Sequence, residues 1–394
     1  MLSYSYIVLG AGRQGTAAAY DLVRFGDAAR VTLADVDLGT ARTAADRVMR
    51  LTGQPIVEAA QIDVGDSSAI KLAFEGHDVA LSAVPYYYNL SLTRAAIERG
   101  VSFCDLGGNT DIVRRQHALD EEARAAGVCI VPDCGMGPGM GNTLAVYAMG
   151  MLDQASHVTI YDGGLPQHPE PPWNYLATFN IEGLINEYYG GMTVLRNGEL
   201  IHLPCFSELE MIHVPGVGHL EAFIVAGGAS TAPWTFRDQL QTYELKVCRY
   251  PGAFAQLKAF SDLGLFDPEP IQVGQTRIRP REVFRALYEP QVRTEIMRDV
   301  CLIRARVKGI KDGRQAVAQV DLVDLYDEAT GFTAMERTTG WHAAIVAAMV
   351  ARGEVPRGAI PLEIAVPAGI FVEHARRRGF AIDERIDFVT RERK

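Results

Sequence analysis

The chain has 394 residues, 48% of them apolar and 22% charged, the composition of a globular protein too long for one hydrophobic core. Its formal net charge of −10 repels a phosphate backbone, which argues against nucleic acid as a partner. No stretch reaches the roughly 18 apolar residues that a bilayer-spanning helix needs, and residues 1–6 lack a basic leader, so a cytoplasmic protein with no membrane partner is expected.

In chain order, residues 1–134 alternate short β-branched runs with helical stretches. Strands are expected at 5–10, 30–35, 57–63, 78–84, 101–105 and 128–132, with helices near 13–25, 39–52, 66–75, 89–99 and 111–126. The strands are near-continuous apolar runs, as in a sheet covered on both faces. That rhythm predicts an α/β domain with a doubly wound parallel sheet and right-handed crossovers. Residues 135–340 change character. A Gly-rich segment runs into an apolar helix at 141–152, and a Pro-rich loop follows at 165–173. Alternating strands follow at 220–227, 243–250 and 300–326, with Lys311-Asp312-Gly313 placed for a hairpin turn. This is a second, α+β domain with an open antiparallel sheet. The remainder, 341–394, carries helices at 341–352 and 367–378 that are expected to pack back on the first domain. An open sheet has edges or a face to cover, so a homodimer or higher homo-oligomer is expected.

The first strand runs into Gly10-Ala11-Gly12-Arg13-Gln14-Gly15, a GxGxxG at a strand-to-helix turn. Gly10 permits the tight turn, Gly12 lets backbone approach a pyrophosphate, and Gly15 lets the helix sit close to the strand. Arg13 and Gln14 open the helix whose N-terminus meets the phosphates. Asp35 ends the next strand, followed by Val36. A carboxylate there accepts hydrogen bonds from ribose hydroxyls and repels a 2′-phosphate, so NAD is expected rather than NADP, although Arg13 and Arg42 keep NADP in play. Three further strand ends point to the same crevice. Asp63 and Val64 flank the adenine; Ser82, Ala83, Val84 and Pro85 pass under the pyrophosphate and nicotinamide ribose; Leu106, Gly107 and Gly108 bring backbone close to the nicotinamide.

Six cysteines lie scattered with no CxxC, and buried reduced thiols are expected. Cys129 and Cys134 lack local partners for a metal. His202, His213 and His219 fall near one another without a ligand spacing, so no metal is expected.

The glycine turn, Ala83-Val84-Pro85-Tyr86, Asp105-Leu106-Gly107-Gly108, Pro132-Asp133-Cys134-Gly135-Met136-Gly137-Pro138-Gly139 and Arg249-Tyr250-Pro251-Gly252 resemble the saccharopine dehydrogenase-like reductases in order and spacing. Leu33-Ala34-Asp35-Val36-Asp37, Gly163-Gly164-Leu165-Pro166, Pro169-Glu170-Pro171-Pro172, Leu220-Glu221-Ala222-Phe223 and Gly227-Gly228-Ala229-Ser230-Thr231 are most similar to lysine 6-dehydrogenases. The resemblance implies a Rossmann domain, a second domain carrying substrate site and subunit contacts, NAD and no metal. It also implies oxidative deamination of the lysine side chain to allysine, which cyclises to a piperideine carboxylate. The chain departs from the pattern at Tyr86-Tyr87-Tyr88, which is unusually aromatic. It departs again at Asp162, where an uncharged residue is expected before Gly-Gly-Leu-Pro. Thr338-Thr339-Gly340 is closer to saccharopine reductases.

Such chemistry needs a neutral amine, a base and anchors for an amino acid. Asp105 and Asp133 end consecutive strands and are candidates for the base or an ammonium anchor, each also placed to cap a turn. Tyr86 stacks on the nicotinamide or closes over the substrate. Arg249 is the carboxylate clamp, because its fork binds carboxylate bidentately. Tyr250, Asp162, Trp173 and Asn109 complete the expected substrate residues. Two alternatives stand beside lysine oxidation: a reductase joining a carbonyl to an amino acid, and an NAD(H)-sensing regulator without turnover.

Overall fold

A computed structural model describes residues 3–294 and 296–389. The chain forms two compact units. The first runs through Tyr147 and takes in Ser230–Thr235 and Glu336–Gly379; the second consists of Ala148–Ala229, Phe236–Met335 and the chain from Phe380.

The first unit is built on strands β1 (Tyr4–Leu9), β2 (Ala28–Asp35), β3 (Val57–Gln61), β4 (Val79–Ser82), β5 (Ser102–Asp105) and β6 (Cys129–Val131). With Gly358–Ala359 they make a seven-stranded parallel sheet, ordered Gly358–Ala359, β6, β5, β4, β1, β2, β3. The order reverses between β1 and β4, which opens a crevice at the carboxyl ends of those strands. Ile7, Leu9, Ala80, Phe103 and Ile130 join one apolar core with Phe74, Leu92 and Ala96. Helix α1 (Arg13–Phe25) buries Gly15 to Val23. Other helices start where a side chain caps them: Asp37 accepts from the Thr40 N–H, Asp66 from Ser68 and Ala69, Asn109 from Ile112. The helix His342–Ala351 is buried on every side through Val350, which is why it shows no polar face. Gly340, just before it, packs on α1 so closely that a Cβ would lie 2.7 Å from the Gln14 carbonyl oxygen.

The second unit carries a nine-stranded sheet. Its main path runs Glu210–Val214, Gly218–Phe223, Thr242–Arg249, Gln154–Pro166, Asp299–Lys311, Arg314–Leu325, Ile382–Phe388. The long hairpin turns at Asp312 and Gly313, at φ of 51° and 70°, the left-handed pair that a two-residue turn requires. The sheet is mixed, not wholly antiparallel, because Gln154–Pro166 and Thr242–Arg249 pair in parallel. One side is filled by Tyr188, Phe206, Phe223, Phe266, Phe284 and Tyr288.

Three further expectations differ from this structure. Residues 111–126 form two helices, Thr110–His117 and Asp120–Ala126. The segment 135–147 stays with the first unit. The segment 341–394 divides: its helices belong to the first unit, whereas Ile382–Phe388 pairs with Arg314–Leu325 in the second. Five of the six cysteines are buried, and none is disulfide-bonded.

Candidate functional site

In the first unit, the glycine turn sits at the sheet's switch point. Gly10 has φ of +96°, and a Cβ there would lie 2.8 Å from the Ala83 carbonyl oxygen, where the β4 exit crosses beneath it. A Cβ on Gly15 would overlap the Gly10 carbonyl oxygen. A Cβ on Gly12 would meet nothing within 4 Å. Two glycines are thus forced by the chain's own packing, and the third borders open space. Gly12 heads α1 without a side-chain cap, so the positive end of the helix dipole meets that space. The Gln14 Oε1 beside it is buried with no hydrogen-bond partner. A free helix N-terminus and a glycine-lined space fit a dinucleotide pyrophosphate.

Asp35, at the end of β2, faces the same turn. Its Oδ2 accepts from the Ala11 N–H at 2.9 Å and its Oδ1 from the Asp37 N–H at 3.1 Å. Val36 beyond it is exposed, and Arg13 approaches Glu336 at 3.8 Å. Asp35→Ala is expected to raise the KM for the dinucleotide and to change the ratio of the kcat/KM values for NAD and NADP; an unchanged ratio refutes a role in reading the ribose. The other strand ends contribute backbone more than side chain. The Asp63 carboxylate accepts from the Gly65 N–H at 2.8 Å, and Val64 and Val84 pack against the core. The Ser82 hydroxyl is fully buried and donates to Asn89 Oδ1 at 2.8 Å, so only its backbone is left to a ligand. Pro85 leads into a short 3-10 turn, Tyr86–Tyr88.

Around the ends of β4, β5 and β6 the structure gathers Tyr86, Asp105, Gly107, Gly108 and Asp133. Half-buried Tyr86 lies against Gly108, where a Cβ would touch its ring at 3.5 Å. Asp105 is wholly buried and committed to the fold. Its Oδ2 accepts from Gln116 Nε2 at 2.6 Å, and its Oδ1 from the Gly107 N–H at 2.7 Å and the Asp133 N–H at 3.4 Å. Burial pushes its pKa up to about 6 against those bonds. With both oxygens engaged, Asp105 is corrected from candidate base to scaffold. Leu106 and Gly107 follow it into the turn. Asn109 is likewise drawn off, since its side chain caps Thr110–His117.

Asp133 differs. Its Oδ2 accepts from the Ser230 hydroxyl at 2.5 Å, while its Oδ1 is buried without a partner. Burial raises its pKa well above the carboxylate range, the charges of Asp105 and Glu363 add to that, and the Ser230 bond opposes it. A buried carboxyl with one uncommitted oxygen at a strand end can take or give a proton.

In the second unit, Asp162, Trp173 and Arg249 come together. Arg249 and Trp173 line a pocket with Tyr175, Tyr188, Gln256 and Tyr288. The Arg249 guanidinium lies 5.5 Å and 5.7 Å from the Tyr175 and Tyr188 ring centroids. It is not a vacant clamp. Nε donates to the Tyr188 hydroxyl at 2.8 Å, Nη1 to the Cys248 carbonyl at 3.0 Å, and Nη2 to both Glu187 oxygens at 3.2 Å and 3.3 Å. A resident carboxylate occupies the position expected for a substrate's. Burial and then the Glu187 charge lift the Asp162 carboxyl to about 7, with Arg249 opposing. Trp173 is held by an Nε1 bond to Gln291 at 2.9 Å. Tyr250 bonds the Pro166 carbonyl at 2.9 Å and does not line the pocket, which makes it a structural residue. The sequence assigned no role to Gln116, Glu187 or Ser230, which act on predicted residues 11, 62 and 97 positions away. Among the described residues no group of three or more His, Cys, Asp or Glu is arranged to hold a metal ion, and no helix is long and apolar enough to cross a membrane.

A parallel sheet with a glycine turn at its switch point, in a chain with a second unit built on a mixed sheet, defines a dinucleotide-binding α/β protein. Residues 6–131 match the saccharopine dehydrogenase NADP binding domain, and residues 135–374 match the saccharopine dehydrogenase C-terminal domain. The chain belongs to the saccharopine dehydrogenase family of oxidoreductases. It is 24% identical over 227 residues to the saccharopine dehydrogenase [NADP(+), L-glutamate-forming] of Schizosaccharomyces pombe, covering 55% of this chain and 50% of that protein. It thus matches half the length of that relative. It is 23% identical over 374 residues to the carboxyaminopropylagmatine dehydrogenase of Synechocystis, covering 88% of this chain and 89% of the other. The apo saccharopine dehydrogenase (L-Glu forming) of Saccharomyces cerevisiae shares the fold, with a TM-score of 0.77 at 17% identity over 98% of this chain and 100% of the other.

Proposed function

We propose that the protein is an NAD-dependent amine dehydrogenase that oxidises the side-chain amine of L-lysine. The observation that carries this reading is Asp133, a buried carboxyl with one uncommitted oxygen at the strand ends beside the glycine turn. The choice of lysine rests on the resemblance of Pro169–Pro172 and Leu220–Phe223. Within the second unit, Arg249 is the candidate clamp for an α-carboxylate, which would have to displace Glu187 from the guanidinium.

The glycine turn and Asp35 would hold the NAD, which when bound would supply the hydride acceptor. Asp133 takes the proton from the ammonium, since only the neutral amine can lose hydride from its carbon. Lysine, NAD⁺ and water give allysine, ammonium, NADH and a proton, and allysine then cyclises with loss of water. Mixing the protein with lysine and NAD is expected to produce NADH and ammonia in equal amounts. A requirement for saccharopine or another secondary amine would replace this reading with the second one. That second reading, oxidation of a secondary amine formed from an amino acid, is favoured by the names of the relatives in Schizosaccharomyces pombe and Synechocystis. NAD binding with no turnover of any amine would point to a sensor.

A further inference from the structure

Ser230 stands far from Asp133 in sequence yet belongs to the same compact unit, on the short segment Ser230–Thr235. The segment is tied down just beyond its contact with Asp133. Thr231 and Thr235 donate to Glu363 Oε1 at 3.1 Å and 2.5 Å, and the Arg114 guanidinium lies 5.3 Å from the Trp234 ring centroid. Ser230 and Asp133 both adopt positive φ, 42° and 65°, which neither residue type favours without outside support. The reward visible in the structure is one contact, the 2.5 Å bond from the Ser230 hydroxyl to Asp133 Oδ2. On the other side of the carboxylate, a Cβ on Gly107 would overlap Oδ1, so a glycine there is what keeps that oxygen clear.

We propose that Ser230 is a positioning residue, which holds Asp133 by one oxygen so that the other is presented for proton transfer. This rests on the reading above only in taking Asp133 as the base. The groups around the carboxyl are Asp105, whose Oδ1 accepts from the Asp133 N–H, Glu363 on the helix Leu362–Ala365, the Cys104 and Cys134 thiols, and His342, which bonds the Cys134 carbonyl at 2.8 Å. None of these donates to the carboxylate oxygens. Ser230 is therefore the group that favours the ionised form, and its loss leaves the carboxyl protonated to a higher pH.

Ser230→Ala is expected to move the acid limb of the kcat/KM profile up by roughly one pH unit, with about a tenfold loss of rate below the limb, and to leave NAD binding alone. Ser230→Thr keeps the parent limb. Ser230→Cys, close in size but a weak donor, moves it the same way as alanine by a smaller step. The same order is expected without substrate, in the infrared C=O stretch of the protonated carboxyl that disappears in Asp133→Asn. Superimposable titrations of the parent, alanine and cysteine forms overturn the positioning role. A shifted titration in a protein that does not oxidise lysine upholds the Ser230–Asp133 pair and defeats only the choice of substrate.

Discussion

Asp133→Asn is expected to lower kcat for amine oxidation by about two to four orders of magnitude, the worth of the positioned general base proposed for it, with NAD binding retained. Asparagine preserves the shape and an oxygen for the Ser230 hydroxyl, so the change removes basicity and little else. The pH profile gives an independent check. Asp133 must be ionised to take the amine's proton, and burial raises its pKa. The rate therefore rises with pH through a limb lying above the ordinary aspartate value of about 3.9. Asp105→Asn is the control. Asp105 accepts from Gln116, Gly107 and Asp133, so its replacement weakens the fold around the β5 exit without erasing the limb. Turnover and the limb surviving in Asp133→Asn, and lost in Asp105→Asn, would reverse the two assignments.

Arg249→Ala carries the second large effect, and it falls on stability and substrate together. The Arg249 side chain is 3% exposed and Glu187 19%, so the variant leaves Glu187 mostly buried without its counter-ion. Breaking such a pair costs about 3–5 kcal/mol, read as a fall in Tm or in the denaturant midpoint. A double variant, Arg249→Met with Glu187→Gln, removes both charges at similar volume and is expected to recover much of that loss. The KM for the amino acid stays high in both, and the KM for NAD is unchanged in both. A recovered substrate KM in the double variant would mean that the guanidinium never meets the substrate and serves the core alone.

These two residues also show where the sequence is readable. The dinucleotide turn is local: Gly10, Gly12, Gly15 and Asp35 act through neighbours a few residues away or on the adjacent strand, so motif and spacing suffice. Asp105 and Asp133 look alike in the chain, each a strand-end acid. What separates them comes from elsewhere, Gln116 to one and Ser230, 97 residues on, to the other. Arg249 reads as an open fork because Glu187 lies 62 residues before it. Gly358–Ala359 is too short to show any period, although it completes the parallel sheet. Ile382–Phe388 does alternate, but its pairing with Arg314–Leu325 is decided by the partner strand and not by its own pattern.

The first unit is assembled from three stretches of chain, and synthesis delivers them in order. Its sheet edge, its central helix His342–Ala351 and the Arg378 guanidinium that meets Asp21 at 2.7 Å all emerge after residues 148–335, most of which belong to the other unit. Until Arg378 leaves the ribosome, Asp21 lacks its hydrogen-bonded counter-ion in a place where both side chains end almost wholly buried. The nascent nucleotide-binding half must therefore wait, partly built, while the other half is made. A stop at residue 378 is therefore expected to lower the Tm of the truncated chain by removing the partner of buried Asp21 while every strand of the parallel sheet is still made.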